Sequence, residues 1–207
     1  PTGIKVKKAL TKEQLGNLFE TKPSSIFQQK AKDFFFFSYI CNGMNIKDIA
    51  LLRFEQLGPE FFWFEREKTK DTISNPKRIT VPLVTFSKNV IKKYQTKNGS
   101  PDDFVFSIIS KTDDAKERRR KIQKFTRFIN QHVKALAASI GISKDISVQF
   151  ARHSFVTRAV QEGFGLEFVG EALGHTDVKT TQSYFAGFED STKRELSEKL
   201  LNFGKKH

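Results

Sequence analysis

The sequence predicts a mostly α-helical domain that carries a small antiparallel three-stranded β-sheet. Two observations lead to this. Apolar residues recur at helical spacing through most of the chain, whereas the aromatic and β-branched runs that read as strands are gathered between residues 54 and 83. With 207 residues, 38% hydrophobic side chains and 22 Phe, the chain has the material for a core and the size of one domain.

Taken in order, residues 1–10 read as a basic linker, with Lys5, Lys7 and Lys8 and no hydrophobic period. Thr11-Lys12-Glu13-Gln14 is a capping pattern: Thr11 accepts from the Gln14 N–H and the Gln14 side chain reaches back. A helix follows through Leu15, Leu18 and Phe19, and Pro23-Ser24-Ser25 breaks it. A long apolar helix over residues 26–41 ends at the Asn42-Gly43 turn, and a short helix over 46–52 puts Ile46, Ile49 and Ala50 on one face. Residues 61–64 and 79–83 read as strands joined by a charged connection over 65–78, with 54–57 as a third, edge strand. Helix resumes at 85–94, and Asn98-Gly99-Ser100-Pro101 opens a loop. A long helix over 115–140 starts very basic and stops at Gly141. Ser147 is the expected N-cap of a helix carrying Phe150, Phe155 and Val156, broken at Gly163-Phe164-Gly165. Shorter helices over 166–173 and 176–184 follow, and Asp190 or Ser191 caps a last one through Leu201.

Composition narrows the function. Lys plus Arg number 36 against 23 Asp plus Glu, a net charge of +13 with a pI near 9.8, which favours a polyanionic partner, DNA or RNA first. A membrane surface fits less well, because no basic amphipathic helix shows a clean apolar face. Apolar runs are short, as in Phe34 to Phe37, which stops at Ser38, far short of the ~18 residues of a membrane span. A single cysteine, Cys41, excludes a disulfide scaffold and reads as a buried small hydrophobe. The opening Pro1-Thr2-Gly3-Ile4-Lys5 lacks the apolar region of a signal peptide, and a start without Met leads to the expectation of a piece of a longer protein.

The stretch from Ser147 to Tyr184 carries the informative residues. It reads Gln149-x-x-Arg152-His153, then Leu173-Gly174-His175, then Thr180-Thr181-Gln182-Ser183-Tyr184, with Tyr184 nine residues after His175. In this order and spacing the chain resembles the catalytic domain of tyrosine recombinases of the phage-integrase type. That family has a His-x-x-Arg box usually followed by His, a Leu-Gly-His box, and a nucleophilic Tyr at the same distance beyond it. The likeness covers nearly the whole chain, and the stretch from Asn42 to Ala50 further resembles integrases of Bacteroides-type mobile elements.

The resemblance implies the DNA breaking-rejoining fold, and site-specific cleavage and rejoining of DNA through a 3′-phosphotyrosine during integration or excision of a mobile element. The chemistry asks for the same residue types. A phosphoester is conserved across strand breakage if a hydroxyl such as that of Tyr184 attacks it. Negative charge on the non-bridging oxygens is best held by a fixed guanidinium fork, which is Arg152. The family role of His175 is a hydrogen bond to a non-bridging oxygen, with His153 a secondary, mainly structural candidate. The leaving 5′ oxygen needs a proton donor. The resemblance gives that role to Lys68, in the charged connection between the strands, with Lys70 as competitor. No metal and no cofactor are expected.

Two positions depart from the family pattern. Its first box is Arg-x-x-Glu, and here the aligned residues are Asn45-x-x-Asp48, which keep an acid and lose a guanidinium. Gln149 stands where the family has the first His; it can donate to phosphate but cannot act as a base near neutral pH. These departures support a rival reading, a catalytically weak or silent DNA-binding paralogue that acts as an accessory factor. A type IB topoisomerase shares the chemistry but fits the Leu-Gly-His pattern less well.

The basic residues of the long helix, Lys116, Arg118, Arg119, Arg120, Lys121 and Lys124, lie on several of its sides, as a solvated helix would carry them; part of this set, with Lys70 from the strand connection, is the expected contact to the DNA backbone. The resemblance divides the chain into a linker (1–10) to an N-terminal core-binding domain, a catalytic domain (11–187) and a C-terminal helix (188–207) that packs in cis or docks on a neighbouring protomer. It implies duplex DNA at attachment or core sites as partner, a monomeric fragment in isolation, tetrameric synapsis, DNA-bending accessory proteins, no membrane, and a place at the bacterial nucleoid in the cytoplasm.

Overall fold

The computed structural model of the chain describes residues 9–66, 78–142, 145–175, 177–188, 193–195 and 197–198. Helix α1 spans Lys12–Glu20, and its capping box forms as expected: the Gln14 N–H donates to Thr11 Oγ1 at 3.1 Å and the Thr11 N–H to Gln14 Oε1 at 3.0 Å. Helix α2, Ile26–Ile40, is the centre of the fold. Phe34, Phe35, Phe36 and Phe37 are all buried, so this part of the helix has no solvent face and must be wrapped by others. Around it pack α4 (Thr85–Tyr94), α5 (Ala115–Ala138) and α6 (Val148–Gln161). The one buried acid of α2, Asp33, is satisfied: Gln29 Nε2, Lys93 Nζ and the Tyr94 hydroxyl all donate to it at 2.7–2.8 Å, tying α2 to α4.

After α2 the chain turns through Asn42 and Gly43, both with positive φ (53° and 61°), into the short α3, Ile46–Leu51. Strands β1 (Phe61–Phe64) and β2 (Ile79–Pro82) pair antiparallel with Phe62 opposite Val81 and Phe64 opposite Ile79. Those four side chains are buried on one face, the alternation a half-covered sheet requires. The third strand expected at 54–57 does not form. Phe54–Gln56 is a 3₁₀ turn, and Leu57 makes one isolated bridge to Phe62. The donors a strand would give to the sheet go elsewhere: Phe54 N–H to the Asp103 carbonyl (3.1 Å) and Glu55 N–H to that of Pro101 (2.7 Å).

The later helices follow the expected order, with some ends trimmed. Helix α5 stops at Ala138, and its N-cap is Asp114, whose carboxylate accepts from the Glu117 N–H at 2.7 Å. Ser147 occupies the N-cap of α6 without bonding through its side chain; Asn130 Oδ1 of α5 accepts the Val148 N–H at 2.9 Å instead. Helix α7 is Leu166–Leu173. Helix α8 is Val178–Gln182, shorter than the expected 176–184, because Asp177 caps it by accepting from the Lys179 N–H at 2.8 Å. Residues 193–195 and 197–198 are helical, while the proposed cap at Asp190 or Ser191 lies outside the described residues. No helix among the described residues is long and apolar enough to cross a membrane.

Candidate active site

Arg152 sits on α6 and is 5% exposed. Its Nη1 donates to the Gly43 carbonyl at 2.8 Å. The Asn42-Gly43 turn is thus the seat for this guanidinium, brought from the other end of the chain. The Nη2 group lies 2.9 Å from His175 Nε2, and Nε is buried with no hydrogen-bond partner among the described residues. A guanidinium only donates, so His175 Nε2 is the acceptor and the ring carries its proton on Nδ1, 2.9 Å from Thr181 Oγ1. Burial, then the charges of Arg152 and Arg66, push the His175 pKa down to about 4, so the ring is neutral at pH 7. Burial and Arg66 push Arg152 down to about 10, opposed by Tyr184 and Asp48; it stays cationic.

His175 is presented by the end of α7. Gly174 closes the helix in the left-handed conformation (φ 68°), and the His175 N–H bonds back to the Gly170 carbonyl at 2.8 Å. A side chain at Gly174 would be strained by φ and would also meet Ile79 of β2 at 2.3 Å. So α7 abuts the sheet and delivers His175 beside Arg152.

Tyr184 completes the group. Its ring centroid lies 5.3 Å from the Arg152 guanidinium carbon, 4.6 Å from the His153 ring and 5.6 Å from the His175 ring. Backbone bonds fix it there: its N–H donates to the Thr181 carbonyl at 3.0 Å, and its own carbonyl is 3.2 Å from His153 Nδ1, which donates. Just beyond, the Ala186 N–H reaches Thr157 Oγ1 (3.0 Å) and Gln161 Nε2 reaches the Gly187 carbonyl (3.0 Å), fastening the segment to α6.

The remaining expected residues lie in different surroundings. Asp48 is buried and close enough to act on Arg152 electrostatically. Asn45 is exposed at the N-cap of α3, with a 3.5 Å contact from its amide to Asp48. Gln149 is exposed on α6, one turn before Arg152 and on the same side of the helix. Lys68 and Lys70 lie outside the described residues. On α5 the basic set divides: Arg120 is held by Glu117 (2.7 Å), Lys121 by Asp113 (2.6 Å) and Arg118 by the Lys111 carbonyl (3.1 Å), whereas Lys116, Arg119 and Lys124 are exposed.

One residue went unnoticed in the sequence. Arg66 follows β1, and its Cδ lies 3.1 Å from where a Cβ on Gly174 would stand. Its charge is felt by both Arg152 and His175. It brings a second cation beside Arg152 and His175. The signal available was its position at the end of a strand, two residues before Lys68.

The family model described as "Phage integrase family" matches residues 8–190. A tyrosine recombinase of Pseudothermotoga lettingae is 29% identical over 168 residues, which cover 80% of this chain and 52% of that protein. Among solved structures, XerA recombinase superposes with a TM-score of 0.62 at 18% identity, over 97% of this chain and 65% of that one. XerH recombinase, solved in a post-cleavage complex with its palindromic difH substrate, gives 0.63 at 18% identity, over 95% and 53%. The two solved structures bear on the fold. The chain spans about half the length of the P. lettingae protein.

Proposed function

Because this chain belongs to the phage integrase family, we propose that it is the catalytic domain of a site-specific DNA recombinase that cleaves and rejoins strands through a 3′-phosphotyrosine. The observation that carries the reading is the convergence of Arg152, His175 and Tyr184, with His175 Nε2 2.9 Å from Arg152 and the Tyr184 ring over the guanidinium. A scissile phosphate entering this group would take the Nη2 and the buried Nε of Arg152 as a two-pronged clamp. Arg66 would supply the second cation. Tyr184 Oη then attacks phosphorus, forming the Tyr–O–P bond as the bond to the 5′ oxygen breaks. The neutral Nε2 of His175 is an acceptor for the tyrosine proton, and the imidazolium so formed donates to a non-bridging oxygen. Lys68 is the proposed donor of the proton to the leaving 5′ oxygen. The reverse sequence rejoins the strand.

The wider proposal is duplex DNA at attachment or core sites, tetrameric synapsis with accessory proteins at the bacterial nucleoid, and work as one part of a longer clamp. Residues 1–10 serve there as the linker to a DNA-binding domain, and 188–207 as an arm that packs in cis or docks on a neighbour. XerH, with the same fold, was solved on DNA, which supports the first point. Kinship with integrases of Bacteroides-type mobile elements is supported by the stretch Asn42 to Ala50.

Asn45 and Gln149 are the residues behind the rival reading, a silent DNA-binding paralogue, which the family match does not favour. One assay separates the two. The full-length protein is incubated with a duplex from the element's junction, nicked beside the scissile phosphate so that the freed fragment diffuses away. The recombinase accumulates a covalent protein–DNA adduct that Tyr184→Phe abolishes while binding persists. The paralogue binds and traps nothing.

A further inference from the structure

The partner of His175 Nδ1 has no role in the chemistry described so far. Thr181 is completely buried on α8, a helix otherwise turned largely to solvent. Its Oγ1 lies 2.9 Å from His175 Nδ1, and its backbone carbonyl accepts the Tyr184 N–H at 3.0 Å. One residue therefore touches the ring on one side and the nucleophile's backbone on the other. Room for the hydroxyl is made by Gly170 of α7, where a Cβ would stand 3.0 Å from Thr181 Oγ1. The Gly170 carbonyl also holds the His175 N–H at 2.8 Å, so ring and backbone of His175 are fixed around the same place.

We propose that Thr181 is a positioning residue for His175: its hydroxyl accepts from Nδ1–H and holds the ring in the tautomer that leaves Nε2 as the acceptor beside Arg152. The inference rests on the reading of Arg152, His175 and Tyr184 as the reaction centre. The alternative tautomer sets an Nε2–H against a guanidinium N–H at 2.9 Å, donor against donor. A hydroxyl can accept from Nδ1–H in the neutral ring and in the imidazolium alike. Thr181 can therefore hold the ring still while Nε2 gains and loses a proton, the part played by the third group wherever a base must stay oriented. Valine has the same shape and would fill the slot, but it would leave a buried Nδ1–H without an acceptor.

Two measurements test this. In the full-length protein labelled with ¹⁵N-histidine, two-bond ¹H–¹⁵N correlations at neutral pH report the tautomer, and His175 is assigned by the signal lost in His175→Gln. The Nδ1–H form is expected in the wild type and in Thr181→Ser, and its loss in Thr181→Val. On the nicked duplex, Thr181→Val should slow adduct formation about tenfold, the rate equivalent of one hydrogen bond. Thr181→Ser should recover most of that, and Thr181→Val should cost nothing further in a His175→Ala background. An Nε2–H wild type overturns the inference even if the valine variant fails to fold. So does wild-type cleavage by Thr181→Val, or an equal loss without His175. If the wild type itself forms no adduct, the recombinase reading fails, and the tautomer spectrum still decides the role of Thr181.

Discussion

Arg152 and Gly43 lie 109 residues apart in sequence and are locked together: the guanidinium donates to the glycine carbonyl at 2.8 Å, and the arginine's own backbone and stem occupy the space a side chain at 43 would need. A Cβ at this position would meet Arg152 Cγ at 2.9 Å, and φ there is +61°. Gly43→Ala should therefore destabilise the domain by roughly 1–2 kcal/mol from the left-handed backbone alone. It should also displace Arg152, so that adduct formation falls further than the loss of folded protein explains. Urea midpoints and cleavage rates, taken together, check this. An unchanged midpoint would mean that the turn relaxes freely.

Arg152→Ala should lower cleavage by about 10²-fold or more, as when one oxyanion donor is removed. Arg152→Lys should fail to restore it. One ammonium cannot reach the Gly43 carbonyl, His175 and a phosphate at once, and it cannot present a planar fork. Single-turnover cleavage by the lysine variant at the wild-type rate would remove Arg152 from the role of clamp.

A second positive charge at the site can come from Arg66 but not from Asn45, whose amide is neutral. If Arg66 supplies it, Arg66→Ala should reduce cleavage by about 10²-fold, while Asn45→Ala should change it little. Removal of Arg66 also takes away one of the charges that hold the His175 pKa down, so that pKa should rise in the variant. Histidine ring shifts followed through a pH titration give the second readout. A His175 pKa that does not move would show that Arg66 points away from the site.

His175 also makes stability depend on pH in a definite direction. Its pKa is lowered from 6.5 to about 4 on folding, first by burial and then by Arg152 and Arg66. Between those values the unfolded chain binds more protons than the folded one, so stability falls with falling pH. The contribution is whole above about 6.5 and lost by about 4. Thermal melts over this window should show a smaller decline in His175→Gln than in the wild type. Equal declines would assign the acid sensitivity to other groups.

Much of this architecture was legible because its signals are local. The Thr11–Gln14 capping box, the strand from Phe61 to Phe64 and the helix from Leu166 to Leu173 fall where capping, alternation and periodicity put them. The failures involve competition between distant groups. Phe54 and Glu55 have strand-like neighbours, but their N–H groups are taken by the 101–103 loop, which periodicity cannot foresee. The same holds at the site. Tyr184, His175 and Arg152 announce themselves by spacing, whereas Arg66 and Thr181 matter through where β1 ends and which side of α8 is buried. Thr181 stands in the motif that ends at Tyr184, but the motif does not say that its hydroxyl meets His175.

Gln149→His tests whether position 149 faces the phosphate, as the first His of the resembled family box would. Gln149 is exposed on α6, one turn before Arg152 and on the same side, so a ring placed there can approach a phosphate held by Arg152. An imidazole can donate to a phosphate, as an amide can, and it can also take the tyrosine proton, which the amide cannot. If His175 already serves as that acceptor, a second base adds little and cleavage stays level or rises modestly. The pH–rate profile discriminates further: a new ionisation near the usual histidine value of about 6.5 should appear in the variant, because an exposed imidazole titrates close to its reference. A large loss of cleavage with unchanged folding would show that the added ring competes with His175 for Arg152, and that the glutamine is a requirement of this site.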